Sequence, residues 1–362
     1  MQNKKTVVVA MSGGVDSGCV AAMLHEDGYN VIGVTLQLYD SKYDVIRTKT
    51  CCGIKDIKDA KTTCAQIGIP HYVINCETEF KKDVIDDFVE TYLAGGTPIP
   101  CVKCNQTVKF RDLFKVAQEI GADYVATGHY ARIIDNNGVK EMHTAVDLSK
   151  DQTYFLYGMT QDHINKTLFP LGSMTKSQTR EIARKLNLNI AEKSESQDIC
   201  FIPNGDYAEF IEKQVPNSSN KEGQIVNIED DSVIGNHNGA IKFTRGQRRG
   251  IGVAWSSPLY VIKTDIAENK VYVGEEKHLF GRNFCVSNLN IINKNDIGQN
   301  GEIECSFILR ALQKSVKGVI KLSQDLKSGE VNLYEDARAI TQGQACVLYD
   351  GTRVIGGGVI NT

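Results

Sequence analysis

Short apolar runs at positions 6–10, 31–36, 71–74 and 124–127 alternate with longer mixed stretches over the first 130 residues. The runs are too short and too apolar for helices and predict buried strands, whereas the spacing between them predicts helices over 17–26, 56–67, 79–92 and 105–120. Glycines at 28, 68 and 121 stand where three of these helices stop. Such alternation predicts an α/β domain, a parallel sheet flanked by helices, with ligands collecting beyond the carboxyl ends of the strands.

The pattern then changes. Asp135-Asn136-Asn137-Gly138 is a turn between two apolar stretches and predicts a hairpin. Thr175 and Gln178 have the spacing of a capping box before a helix over 176–186. A polar stretch at 216–222 reads as a loop. From about Gly223 onward, short β-type runs at 224–228, 259–263, 270–273, 302–308, 345–348 and 353–360 follow one another without helices between them. That texture predicts a small central, mainly β domain and a C-terminal β-barrel, dividing the chain at 1–205, 206–280 and 281–362.

Composition narrows the class. A chain of 362 residues exceeds what one core usually covers, which agrees with several domains. Lys plus Arg (41) nearly balances Asp plus Glu (44), so a nucleic-acid partner must be met by a local basic surface. No long apolar segment suggests a leader or membrane span, and the expected location is the cytoplasm. Eleven cysteines are an odd number scattered over a large chain, which predicts mostly reduced, buried thiols.

Candidate chemistry starts at Ser12-Gly13-Gly14-Val15-Asp16-Ser17, between the first strand and the first helix. Glycines let the backbone approach an anion, and the first helical N–H groups and the helix dipole face it. The Lys and four-residue spacer of an ordinary P-loop are missing. Asp16 inside an anion site reads as a metal organiser. Thr127-Gly128-His129-Tyr130 ends another strand and is placed to border the same crevice. Cys101-Val102-Lys103-Cys104 is open to three readings: half a zinc site, a redox pair, or no chemistry. Cys104, ahead of the helix expected from 105, would feel its positive end and Lys103, which favours thiolate. Nothing local marks Cys200 as reactive.

Taken in order, the phosphate loop, the segment 97–105, Ala126-Thr127-Gly128-His129-Tyr130, Lys150-Asp151-Gln152, Ser196-Gln197-Asp198-Ile199-Cys200-Phe201, Gly246-Gln247-Arg248-Arg249-Gly250 and Gly343-Gln344 closely resemble the tRNA-specific 2-thiouridylase family, within the PP-loop ATP pyrophosphatases. The resemblance runs nearly end to end. It implies that ATP, with Mg²⁺, adenylates the C2 oxygen of the wobble uridine of tRNA, and that a persulfide then displaces AMP. Cys200 matches the persulfide-bearing cysteine and Cys104 its partner. Ala10, Met11, Ser12, Gly13, Gly14, Val15, Asp16, Ser17, Leu36 and Gly128 would contact ATP. Ile99, Pro100 and Cys101 would meet the target base, and His129, Lys150, Asp151, Gln152, Arg310, Ala311 and Gln344 the tRNA; Gln247, Arg248 and Arg249 read either as added phosphate contacts or as an exposed basic turn. A cysteine desulfurase or relay protein would deliver the sulfur.

One position departs from the family pattern: Cys101 stands where many members carry Asp. With Cys104 and Cys200 it makes three potential ligands for an iron–sulfur cluster, an alternative sulfur carrier. An amide-forming ATP pyrophosphatase is the competing enzyme class.

Overall fold

The computed structural model describes residues 4–38, 54–194, 199–202, 205–216, 218 and 221–361. Cys51, Cys52, residues 195–198 of the segment leading to Cys200, and part of the polar stretch at 216–222 lie outside the described residues. Two compact units divide the chain: Met1–Ile85 with Pro100–Pro203 and Asp350–Ile355, and Asp86–Ile99 with Asn204–Tyr349 and Gly356–Thr362.

The first unit is built on a parallel sheet. Strands β1 (Thr6–Ala10), β2 (Asn30–Gln37), β3 (His71–Asn75) and β4 (Tyr124–Ala126) stand in the order β3-β2-β1-β4, extended beyond β4 by the short strand Thr167–Leu168. All four neighbouring pairs run parallel. Val7, Val8 and Val9 have no exposed surface, as expected of a strand covered on both faces. Helix α1 (Val15–Glu26) buries eight of its residues, including Cys19, Val20 and Leu24, against this sheet and neighbouring helices. Helix α2 (Ile54–Ile67) adds Ala60 and Cys64 to the same core. After β3 the chain crosses back to pair β4 with the other side of β1, so the strand order reverses between β1 and β4, and the ligand crevice of such a sheet falls at their carboxyl ends.

The helices expected over 79–92 and 105–120 are each interrupted by a wider turn. π-helical turns occupy Lys81–Asp86 and Asn105–Lys109. The second helix also begins earlier than expected, with Pro100–Cys104 running through the π-turn into Phe110–Glu119. Proline at the start sacrifices no hydrogen bond and presets φ, which explains the earlier boundary. The predicted hairpin forms from β5 (Ala131–Asn136) and β6 (Val139–Thr144). Thr175 and Gln178 make the capping box of helix Lys176–Lys185.

In the second unit, β8 (Glu222–Asn227), β9 (Val233–Asn238), β10 (Tyr260–Asp265) and β11 (Lys270–Gly274) form a four-stranded sheet in the order β10-β11-β8-β9, over a core of Ile225, Val261, Val271 and Val273. Strands β12 (Phe280–Ile291), β13 (Glu302–Ile308), β14 (Val316–Leu322), β15 (Gly329–Arg338), β16 (Ala345–Asp350) and β17 (Arg353–Asn361) follow in the order β12-β15-β14-β13-β16-β17, and the β12–β17 pairing closes them into a six-stranded barrel. Closure removes the sheet edges that would otherwise pair with other chains.

Candidate active site

The phosphate loop lies at the carboxyl end of β1, at the crossover of the sheet. Gly13 holds φ at +71°, and a Cβ there would overlap the main-chain carbonyl of Asp56 in α2. The neighbouring Gly14 is extended (φ −96°, ψ 168°) and is the N-cap of α1. Ser17 Oγ accepts from Ser12 N (3.2 Å), donates to Gly14 O (3.2 Å) and lies 3.2 Å from Ser12 Oγ. The two serines thus close the loop on itself and leave the start of α1 facing the crevice. From the next strand, Gly128 backs directly on α1: a Cβ would come within 2.9 Å of both Asp16 Cβ and Ser17 N. Leu36 is buried at the end of β2.

The basic side chains that the loop lacks come from far along the chain. Lys176, first residue of its helix, places Nζ 2.6 and 2.8 Å from the two oxygens of Asp16. Tyr130 OH donates to Asp16 Oδ1 (3.2 Å) and lies 2.9 Å from Thr179 Oγ1. Lys193 Nζ donates to the carbonyl of Gly13 (2.9 Å), to Asp56 (2.6 Å) and to Asp59 (2.5 Å). Neither lysine was singled out from the sequence. The hint for Lys176 was its place at N1 of a capped helix, where an acid is more usual; Lys193 gave no signal.

Gln152 Oε1 accepts from Tyr130 N (2.9 Å), and Gln152 N donates back to Tyr130 O (3.0 Å). This places Gln152 two links from Asp16. Asp151 accepts from Ala145 N (2.8 Å) and Thr153 Oγ1 (2.6 Å), and its burial holds the carboxyl above the usual carboxylate range. Lys150 is half-buried beside them. His129 Nδ1 lies 2.8 Å from Thr127 Oγ1, and burial, with the charge of Lys109, lowers the imidazole pKa to about 3.

The cysteines divide sharply. Burial pushes the thiols of Cys19, Cys64 and Cys76 up to about 12, and that of Cys346 upward as well, which makes them poor nucleophiles. Cys101 is exposed, Cys104 is buried and Cys200 is half-buried. Cys104 is not ahead of a helix, as expected, but one turn inside the helical run that starts at Pro100. The positive helix end therefore falls on the turn holding Cys101, and Cys104 is held instead by packing and by the adjoining Asn105, whose Nδ2 donates to Phe155 O (3.0 Å). Next to Cys200, Phe201 is buried edge-on against Phe80, with ring centroids 5.8 Å apart.

The second unit holds four more of the expected site residues, Ile99, Arg310, Ala311 and Gln344. Gln344 Nε2 donates to Thr97 O (3.2 Å), two residues before half-buried Ile99. Pro100 is buried. Arg310 is exposed and Ala311 half-buried, in the turn after β13.

Three family profiles match consecutive parts of the chain: a tRNA methyl transferase HUP domain over residues 5–204, a tRNA methyl transferase PRC-barrel domain over 208–275, and an aminomethyltransferase beta-barrel domain over 281–360. The tRNA-specific 2-thiouridylase MnmA of Rickettsia africae (strain ESF-5) is 48% identical over 357 residues, covering 99% of this chain and 97% of its own. That of Rickettsia canadensis (strain McKiel) is 47% identical, covering 98% and 95%. Among solved structures, a 4-thiouridine synthetase in complex with RNA and ATP is 18% identical, covering 59% of this chain and 50% of its own at a TM-score of 0.34. Agreement at this level over both units and the full order of motifs establishes that the chain belongs to the tRNA-specific 2-thiouridylase family.

Proposed function

We propose that this protein is a tRNA-uridine 2-sulfurtransferase that spends ATP to replace the C2 oxygen of the wobble uridine with sulfur. The observation that carries this reading is the phosphate loop at the strand crossover, held open by Gly13 and flanked by Lys176 and Lys193. Methyl transfer, the chemistry in the names of two matching profiles, requires no such loop, whereas adenylation with release of pyrophosphate does.

In the first step the uridine O2 attacks the α-phosphorus of ATP, forming an O–P bond as pyrophosphate leaves. The backbone N–H groups at the start of α1 and the serines of the loop hold the phosphates. Asp16 fits as one oxygen ligand of a Mg²⁺ ion carried with them, an ion that would neutralise phosphate charge. Its carboxylate is held by Lys176, so ligation of Mg²⁺ would free that ammonium for the phosphates.

In the second step the terminal sulfur of a Cys200 persulfide attacks C2, and AMP departs with the original oxygen. Attack of the Cys104 thiolate on Cys200 Sγ then breaks the S–S bond and releases 2-thiouridine, leaving a Cys104–Cys200 disulfide. An external thiol reductant must reduce that disulfide with two electrons, and a persulfide donor must reload Cys200, in each cycle. Among the described residues no group of three His, Cys, Asp or Glu side chains is gathered as a metal site, so the placement of Cys101, Cys104 and Cys200 lends no support to a cluster as carrier.

Ile99, Pro100 and Cys101 would border the base, and His129, Lys150, Asp151, Gln152, Arg310, Ala311 and Gln344 the tRNA body. Among the described residues no helix is long and apolar enough to cross a membrane. We assign the protein to the cytoplasm, with tRNA, ATP and a persulfide donor as its partners.

The test is incubation with unmodified tRNA, ATP, Mg²⁺ and a persulfide donor, followed by mass spectrometry of the nucleosides. Cys200→Ala should still release pyrophosphate on tRNA yet form no 2-thiouridine. Pyrophosphate release without a thiolated nucleoside in the unaltered protein would instead point to an amide-forming relative.

A further inference from the structure

The only tryptophan of the chain, Trp255, is 46% exposed. It lines a cavity of about 210 Å³ within the second unit, together with Arg248, Gly250, Gly252, Ser257 and Leu259. The loop that carries it is anchored at both ends. Ile251 and Leu259 are buried in the core of the four-stranded sheet. Before them, Gln247 pins a turn: its Oε1 accepts from Thr244 N (3.1 Å), its Nε2 donates to Arg249 O (2.9 Å), and its carbonyl accepts from Val261 N (2.9 Å).

That pinning leaves Arg248 and Arg249 exposed. Gly250 and Gly252, which both line the cavity, hold φ at +79°, a conformation that favours glycine. A single exposed aromatic ring needs no explanation. Here the ring shares a cavity wall with Arg248, the sequence neighbour of exposed Arg249, and the cavity is too small for a whole drug-sized ligand but open to one planar ring. A flat π-face for a base and guanidinium groups for the backbone are the means by which proteins hold single-stranded nucleotides.

We propose that this cavity is a subsite for one unstacked nucleotide of the tRNA substrate, with its base against Trp255 and its phosphate against Arg248 and Arg249. The subsite rests on the reading of the chain as a tRNA thiouridylase, and it adds a base-stacking ring, Trp255, to the phosphate contacts expected of Arg248 and Arg249.

Because Trp255 is the only indole, its fluorescence reports on the subsite directly. The full-length protein is titrated with unmodified tRNA, with a single-stranded oligoribonucleotide, and with an RNA duplex of equal charge. The first two should quench Trp255 and the duplex should not, since its bases stay stacked. Using end-labelled tRNA, Trp255→Ala should bind about tenfold more weakly and Trp255→Phe should recover most of the loss. Arg248→Ala should lower the slope of log affinity against log salt by about one. Unchanged melting temperatures show that the variants are folded. Quenching by the duplex equal to that by single strands overturns the stacking assignment. Emission unchanged at saturating tRNA, or wild-type affinity and salt slope in the variants, overturns the subsite. Thiolation of tRNA by the same preparation of unaltered protein, measured in parallel, shows in either case whether the parent reading stands.

Discussion

Gly13 and Gly14 are neighbours with the same side chain, and the structure assigns them opposite tolerances. Gly13→Ala places a Cβ in a backbone conformation with φ +71°, which costs a non-glycine residue about 1–2 kcal/mol. It also drives that atom into the Asp56 carbonyl, which is main chain in a helix and cannot rotate away. The loop must therefore shift, and a misplacement of about 1 Å costs on the order of a hundredfold in rate. At Gly14 the backbone is already extended, and the nearest atom to a Cβ is the rotatable Ser12 Oγ at 3.4 Å. The assay pairs thermal melting with tRNA-dependent pyrophosphate release at varied ATP. Gly13→Ala should lower the melting temperature of the nucleotide-binding unit by at least about 3 °C and reduce kcat/KM for ATP about a hundredfold. Gly14→Ala should melt like the wild type, so that any loss of ATP affinity there reads the closeness of a phosphate and not damage to the loop. Wild-type melting and ATP kinetics in Gly13→Ala, or a lower melting temperature for Gly14→Ala than for Gly13→Ala, would refute this account.

Lys193→Met removes the ammonium that holds the Gly13 carbonyl, Asp56 and Asp59. KM for ATP should rise about tenfold, and Lys193→Arg should recover part of it; equal KM values in Met and Arg variants would show that the charge is unimportant. For His129, a folded pKa lowered from 6.5 to about 3 means that the unfolded chain binds more protons between those values. Its stability contribution is therefore complete above pH 6.5 and is lost as pH falls toward 3. Urea titrations at pH 7 and pH 5 should show a smaller acid loss in His129→Gln than in wild type, and identical losses would contradict the assignment of a desolvated neutral ring. Gln152→Ala removes the side-chain acceptor from Tyr130 N and should impair pyrophosphate release several-fold through Tyr130 and Asp16; a pure tRNA-affinity defect with normal ATP kinetics would place Gln152 on the RNA alone.

What the sequence determined by itself was local or periodic. Apolar runs of strand length, a glycine-rich turn before a helix, and the Thr175–Gln178 box need only near neighbours, and each forms as expected. Short β-type runs also marked the barrel region, although β12, β14 and β15 escaped notice there: the regular in-out pattern of Gly329–Arg338 was present, but its apolar positions are separated by charged ones. Helix boundaries were less legible. Pro100 starts a helix four residues before the Cys-Asn pair, which moves Cys104 away from the helix end that appeared to activate it.

Only the tertiary structure decided the surroundings of the phosphate loop. Lys176 and Lys193 are 160 and 180 residues from Asp16 and Gly13, and the basic partners missing from the loop are supplied by folding, through contacts for which no local pattern codes. Likewise, burial separates thiols that the sequence leaves equivalent, pushing some up to about 12 and leaving Cys101 exposed. Desolvation likewise turns His129 from a potential cation into a neutral ring. Spacing specifies elements because hydrogen bonding and side-chain periodicity act over a few residues. Charge state and partnership depend on which distant groups share a low-dielectric interior, and that is set only when the sheet closes.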